Sequence, residues 1–394
     1  MHIALITNEY PPDPHGGIGS YTYHLADGLA ELGLAVSVLV VSGTTHFRYV
    51  SETPNPHRNG VRVVRLGFTA PRWLRWRPGE VRKRLCFRRE LRRLHAESPF
   101  DLVECLDNHG WLPFGGIRGV PNVVRLHGAT FFFDSLSGSN TSDPFTHWLE
   151  RRTVRRADRL VAVSEYDRVA AAEVYAIPAG GIEVIHNAID TKNFAPDELV
   201  RREPGLIVFA NSVHLRKGID SLVRAVPLVR RRVPQARLAI LGRDTFLDEV
   251  GQPLLAGILA GLAPQDRAGI EVVGHQARDG ALQKWLQRAQ VCCYPSRMET
   301  FGIAPIEAMA CGTPVVFSRT GPGPEVIEDG VSGLLCDPES PEDIAAKILR
   351  ILEDKAFAER LGEAGRARIL QRFDTEAWAR RNAAYFTEVA QASR

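Results

Sequence analysis

"HIALITNEYPPDPHGGIG", residues 2–19, sets an apolar run of strand length against a loop dense in proline and glycine. An apolar-periodic stretch then runs to Leu32, Gly33 interrupts it, and "AVSVLVV" at 35–41 is apolar again. The order is strand, loop, helix, strand: one βαβ unit. "FDLVECL" (100–106), "NVVRLHG" (122–128) and "DRLVAVS" (158–164), with helical stretches between them, continue an open parallel sheet of the doubly wound kind. This half ends near residue 190.

After the turn-rich "VIHNAIDTKNFAPDE" (184–198) the pattern restarts with "GLIVFANS" (205–212), a helix over about 219–232, and "ARLAILG" (236–242). "GIEVVGH", the helical "RDGALQKWLQRAQ" and the strand "VCCYPS" carry it on to residue 296. The fold class is therefore α/β, two Rossmann-like doubly wound domains facing across a cleft. The expected divisions are 1–190, 191–370, and a helical tail at 371–394 packing back toward the first domain. Ligands belong where loops leave the carboxyl ends of the strands.

The 394 residues suffice for two domains with substantial cores. A net charge of +3 is too mild for a nucleic-acid partner, and 24% charged with 44% hydrophobic residues is ordinary globular composition. Cys86, Cys105, Cys292, Cys293, Cys311 and Cys336 show no CxxC spacing, which speaks against a zinc site or disulfide framework and for a reducing cytoplasm. Neither a signal peptide nor a membrane span is expected, since "MHIALITNEY" lacks a basic start and no stretch approaches 18 uninterrupted apolar residues.

"ETFGIAPIEAMACGTPVV", residues 299–316, holds two carboxylates in an apolar setting. Proline at the start and glycine past the end predict a helix over Pro305–Cys311, closed by Gly312, with Val315–Phe317 a buried strand. Glu307 then falls in the first turn and Glu299 in the loop before it. The cap position, Ala304, has no side-chain oxygen, so the amides of that helix start are left for water or an anion such as phosphate. Gly16, Gly17 and Gly19, after the first strand, let backbone amides approach a phosphate, although a plain tight turn reads equally well. Arg216 and Lys217 occupy the equivalent loop of the second half. His127 places a ring that titrates near neutrality at the end of a strand, at a sheet edge. Ser164 lacks a GxSxG setting, and there is no Walker loop, HExxH or DxD, so a metal-bridged diphosphate is not expected.

Together these residues resemble the retaining nucleotide-sugar glycosyltransferases of family 4, which have the GT-B fold. "ETFGIAPIE" matches the family's pair of glutamates, "HGGIGSY" its amino-terminal glycine loop and "LRKG" its basic loop. "VAVSEYDR", "VIHNAIDTKNFAP", "GHQ", "VCCYPSRMETFG", "ACGTPVV" and "DGVSGLL" follow in the family's order over nearly the whole chain. The resemblance implies a hexosyltransferase moving sugar from a nucleoside diphosphate to an acceptor hydroxyl with retention, without metal or further cofactor. Glu299 would contact donor-sugar hydroxyls and Glu307 the ribose. Phe301, Gly302 and Ile303 would meet sugar and diphosphate through their backbone, and Lys217, helped by Gly17, would neutralise the leaving diphosphate. His127 would line the cleft near the sugar.

Ser212 departs from the pattern, since many members carry arginine five residues before the lysine; Arg216 or Arg243 is left to supply that charge. Ala188 stands where glycine is frequent. A non-catalytic sugar-binding subunit and a GT-B epimerase or phosphorylase are the competing readings. The acceptor, a glycan, lipid-linked sugar or small molecule, is open, and "FFF" at 131–133 reads as a core strand or an apolar acceptor wall. Residues 71–95 pair Trp73 and Trp76 with nine arginines and one lysine, the composition of a peripheral contact with an anionic membrane. Equally they form a solvated helix with Val81, Leu85, Leu91 and Leu94 turned inward.

Overall fold

The computed structural model describes residues 1–12, 16–41, 50–52, 60–66, 78–138, 143–244, 251–278 and 280–393. They form two compact units, Met1–Asn187 with Thr375–Arg394, and Ala188–Asp374.

The first unit follows the βαβ pattern read from residues 2–41. Its elements are β1 (His2–Thr7), α1 (Gly17–Glu31), β2 (Ala35–Val41), β3 (Val50–Glu52), β4 (Arg62–Leu66), α2 (Pro78–Glu97), β5 (Leu102–Leu106) and β6 (Asn122–Leu126). They continue with α3 (Thr130–Ser137), α4 (Pro144–Val154), β7 (Arg159–Ala162), α5 (Glu165–Tyr175) and β8 (Ile182–Val184). The strands lie in the order β3-β4-β2-β1-β5-β6-β7-β8, parallel except for β3. Every residue of β5 and β6 is buried, because helices cover both faces of a parallel sheet. The chain reverses its direction of growth between β1 and β5, where Ile3 pairs with Leu102.

Two local expectations are corrected here. Residues 131–133 lie in α3 and not in a strand: Phe132 is buried, while Phe131 and Phe133 pack partly buried against the same core. In α2, Leu91 and Leu94 do turn inward, but Leu85 is 49% exposed, and Phe87 and the guanidinium of Arg84 take the interior positions. Trp73 and Trp76 lie outside the described residues.

The second unit repeats the pattern. It runs β9 (Leu206–Ala210), α6 (Ile219–Arg232), β10 (Arg237–Leu241), α7 (Leu254–Ala260), α8 (Pro264–Arg267), β11 (Ile270–Val272), α9 (Ala281–Arg288) and β12 (Val291–Tyr294). Then come α10 (Ile303–Ala310), β13 (Val315–Ser318), α11 (Gly323–Val326), β14 (Leu334–Cys336), α12 (Pro341–Glu353) and α13 (Lys355–Arg372). Its all-parallel order, β11-β10-β9-β12-β13-β14, is that of the mononucleotide-binding double winding, with the switch between β9 and β12.

The chain leaves this unit at Asp374, whose carboxylate accepts a hydrogen bond from Thr191 Oγ1 at 2.6 Å. The terminal helix, Thr375–Ala392, belongs to the first unit, packed on α1. Its Asn382 accepts a bond from Arg125 Nη2 at 2.6 Å, and Arg125 also reaches Glu104 at 3.0 Å. Tyr21 donates to the other oxygen of Glu104 at 2.6 Å, so a wholly buried polar network fixes that helix to β5, β6 and α1. Among the described residues no helix is long and apolar enough to cross a membrane.

Candidate active site

The loops leaving the carboxyl ends of β9 and β12, residues 211–218 and 295–302, meet at the switch point. Gly218 makes the approach possible: its φ is +69°, and a Cβ there would stand 1.8 Å from the carbonyl oxygen of Pro295. The Arg216 carbonyl accepts bonds from the amides of Arg297 (2.8 Å) and Met298 (3.3 Å). The Arg297 guanidinium closes the seam, donating to the Leu215 carbonyl at 2.7 Å, to both oxygens of Asp220 at 2.6 and 3.0 Å, and to Ser221 Oγ at 2.8 Å. Glu339 accepts from its Nε at 2.6 Å. An arginine fork held at this many points makes the two loops one rigid piece.

On that piece Lys217 and Glu299 face each other, Nζ to Oε1 at 2.5 Å, with Ser296 Oγ at 3.4 Å from the same oxygen. Both side chains are nearly buried, at 11% and 13% exposure. Burial holds the Lys217 ammonium below the usual lysine range, opposed by the Glu299 charge. Arg216 is also largely buried, near the Glu299 charge. His214 is pushed down to about 4 by burial and by Arg216 and Lys217, so its ring is neutral; its Nδ1 accepts the Arg216 amide at 2.9 Å. Arg243 is exposed and meets this loop through its backbone, accepting the Val213 amide at 3.0 Å. Of the two arginines considered for the place left by Ser212, Arg216 is the one beside the pair.

The helix carrying Glu307 starts two residues earlier than proline punctuation predicts. It begins at Ile303 with Gly302, φ +98°, as cap, so neither Ala304 nor Pro305 marks the start, and Glu307 lies in the second turn instead of the first. Only glycine suits that cap, since a Cβ would come within 2.8 Å of the Phe317 ring. Gly302, like the Ala304 expected in its place, offers no side-chain cap. Phe301 is buried with its ring 5.5 Å from that of Phe373. Glu307 is 1% exposed, and its Oε1 accepts a bond from Arg278 Nε at 2.7 Å. The carboxylate is thus neutralised by a guanidinium from the loop after β11, not by the helix dipole.

In the first unit, Gly16 caps α1 without a side-chain bond, Gly17 is its first residue, and the Gly16 amide already donates to Glu9 Oε2 at 2.7 Å. His127 sits at the carboxyl end of β6, an interior strand, so the expected sheet edge is corrected. Its expected titration near neutrality is corrected as well: burial, and then the Arg125 charge, push it down to about 3. The imidazole is neutral, edge-on to Tyr21 at 4.5 Å, with its amide bonded to Asp107 Oδ1 at 3.0 Å.

Sequence reasoning missed Arg278, Arg297, Asp107 and Glu9. The first was detectable as the cation that a buried Glu307 requires; the others act through tertiary contacts that no local pattern announces.

Residues 190–368 match the family described as glycosyl transferases group 1, and residues 15–193 match glycosyltransferase family 4. A D-inositol 3-phosphate glycosyltransferase of Nocardioides is 30% identical over 382 residues, covering 88% of this chain and 80% of the relative. A glycogen synthase of Mycobacterium tuberculosis is 27% identical over 410 residues, covering 95% and 91%. Among solved structures, the sucrose-phosphate synthase from Thermosynechococcus elongatus superposes with a TM-score of 0.80 at 24% identity, over 99% of both chains. Anabaena HepE in complex with UDP-glucose superposes at 0.72 and 18% identity, over 98% and 100%. With both halves matched in order and the double-Rossmann GT-B fold in place, this chain belongs to glycosyltransferase family 4, the glycosyl transferases group 1.

Proposed function

We propose that this glycosyltransferase moves a hexosyl unit from a nucleoside-diphosphate sugar to an acceptor hydroxyl, with retention of configuration and without a metal ion. The observation that carries the reading is the nearly buried Lys217–Glu299 pair beside the start of α10, with Arg216 next to it. In the reaction the acceptor oxygen bonds to the anomeric carbon as the bond from that carbon to the diphosphate oxygen breaks. The electron pair of the broken bond stays on the diphosphate, which takes up the acceptor's proton on the same face. Lys217 and Arg216 counter the charge that builds on the diphosphate, and fixed donors in a site poor in water do this best in the transition state. The backbone at Phe301, Gly302 and Ile303 supplies further donors. Glu299 is assigned the sugar hydroxyls and Glu307 the ribose. The first unit is assigned the acceptor, with His127 a neutral wall and not an acid or base.

A panel of labelled nucleotide sugars, led by UDP-glucose because a structural neighbour binds it, tests the class, with transfer expected to survive EDTA. Full loss in EDTA with recovery in magnesium or manganese overturns the metal-free assignment. Calorimetric titration with the nucleoside diphosphate tests the glutamates. Glu307→Gln should weaken it by about 1.5 to 3 kcal/mol, while Glu299→Gln leaves it nearly unchanged and lowers transfer. Loss confined to Glu299→Gln, or equal loss in both, overturns the placement.

A further inference from the structure

The first unit carries a surface that the transfer chemistry does not use. Its hub is the loop 113–118, between β5 and β6. Arg88 of α2 donates to the Gly116 carbonyl at 3.5 Å, and Arg152 of α4 to the Pro113 carbonyl at 2.9 Å. Arg156 reaches over Gly115, whose Cβ position is 3.9 Å from its Nη1. The Arg88 guanidinium stands near enough to those of Arg92 and Arg156 to feel the charge of both. Among the described residues, Arg88, Arg89, Arg92, Arg118 and Arg156 make no ion pair.

The charge is concentrated here. Helix α2 has seven cationic side chains against Glu80, Glu90 and Glu97, and residues 144–156 have four arginines against Glu150, in a chain of net +3. Like charges held together without carboxylates disfavour the isolated protein, and an anionic partner relieves that cost.

Beside the arginines is an aromatic group. Trp148 is 41% exposed and stacks on Phe145 at 5.6 Å with rings 13° apart. Phe114, on the hub loop, is 6.3 Å from Trp148, and the Arg152 guanidinium lies over the indole at 5.3 Å. A soluble polyanion would need only the arginines. A tryptophan left exposed on a second aromatic ring suits the boundary between lipid headgroups and acyl chains, where the indole buries its face and keeps its N–H wet.

We propose that this surface, formed by α2, the loop 113–118 and α4, docks the protein on an anionic lipid bilayer. The arginines meet the headgroups and Trp148 with Phe145 enters the interface. The contact is peripheral and independent of which sugar is transferred.

The test is sedimentation of the full chain with phosphatidylcholine vesicles, with and without about 30% phosphatidylglycerol. Wild-type protein should bind the anionic vesicles and release at high salt. The triple variant R88Q/R92Q/R156Q should bind at least about tenfold more weakly, and Trp148→Ala about threefold more weakly. Both variants should melt as the wild type does, since the altered side chains are exposed or partly exposed. Equal binding to neutral vesicles, or a triple variant that binds like wild type, overturns the proposal. So does undiminished vesicle binding by Trp148→Ala, which would make this a site for soluble polyanions.

Discussion

Glu307 and His127 show what burial does to a titratable group when its neighbours differ. Glu307 is buried against a cation, with Arg278 Nε 2.7 Å from its Oε1. Removing that cation by Arg278→Ala should destabilise the second unit by about 1–2 kcal/mol, reduced from the fully buried case because Arg278 is partly exposed; urea unfolding measures it. His127 has the opposite sign of neighbour, Arg125, and is held neutral with a pKa of about 3. That lies below the value near 6.5 of an unfolded chain, so the unfolded state binds the proton first on acidification. The stability is complete above pH 6.5 and falls as pH drops toward 3, by about 1–2 kcal/mol at pH 5. His127→Gln should flatten the change in stability between pH 7 and 5 relative to wild type. An unchanged slope would return the ring to ordinary titration. Residue type and turn punctuation singled out the glutamates and Lys217, and the family resemblance gave them their expected roles; the protonation state of His127 was not legible, because it depends on burial and on Arg125, two residues away in sequence but acting through the folded interior.

At the scale of elements, the candidate active-site piece is two loops sewn together by Arg297, and the stitching is separable from the proposed chemistry. Arg297→Ala keeps Lys217, Glu299 and the backbone bonds to the Arg216 carbonyl but removes the guanidinium's ties to Leu215, Asp220 and Ser221. Transfer should fall about ten- to a hundredfold through misplacement of the pair, with kcat more affected than donor KM. Arg297→Lys should recover little, because an ammonium cannot span Leu215, Asp220 and Ser221 at once. Gly218→Ala should cost about 3 kcal/mol or more, since the added methyl collides with backbone at Pro295; a thermal melt reads this directly. Periodicity gave α6 its limits, Ile219–Arg232. It missed the start of α10, because proline is comfortable anywhere in a first turn while Gly302 in the left-handed region decides where the turn begins.

Across the whole molecule, both windings could be read from alternating apolar runs and turn residues, and the helical tail was expected against the first domain; the contacts that fix it there join side chains far apart in sequence. Asn382 and Arg125 are separated by 257 positions. Asn382→Leu should leave the Arg125 guanidinium short of an acceptor and destabilise the first unit by about 2–4 kcal/mol, seen as an earlier transition in denaturant. The same connection has a consequence for biosynthesis. A nascent chain ordinarily completes its domains in the order in which they emerge. Here residues 1–187 leave the ribosome without the helix that seals Glu104 and Arg125, while residues 188–374 are already whole. The later-made unit can therefore finish first, and the earlier one waits with its α1 face uncovered until residues 375–394 arrive, which is the interval in which a chaperone would find it.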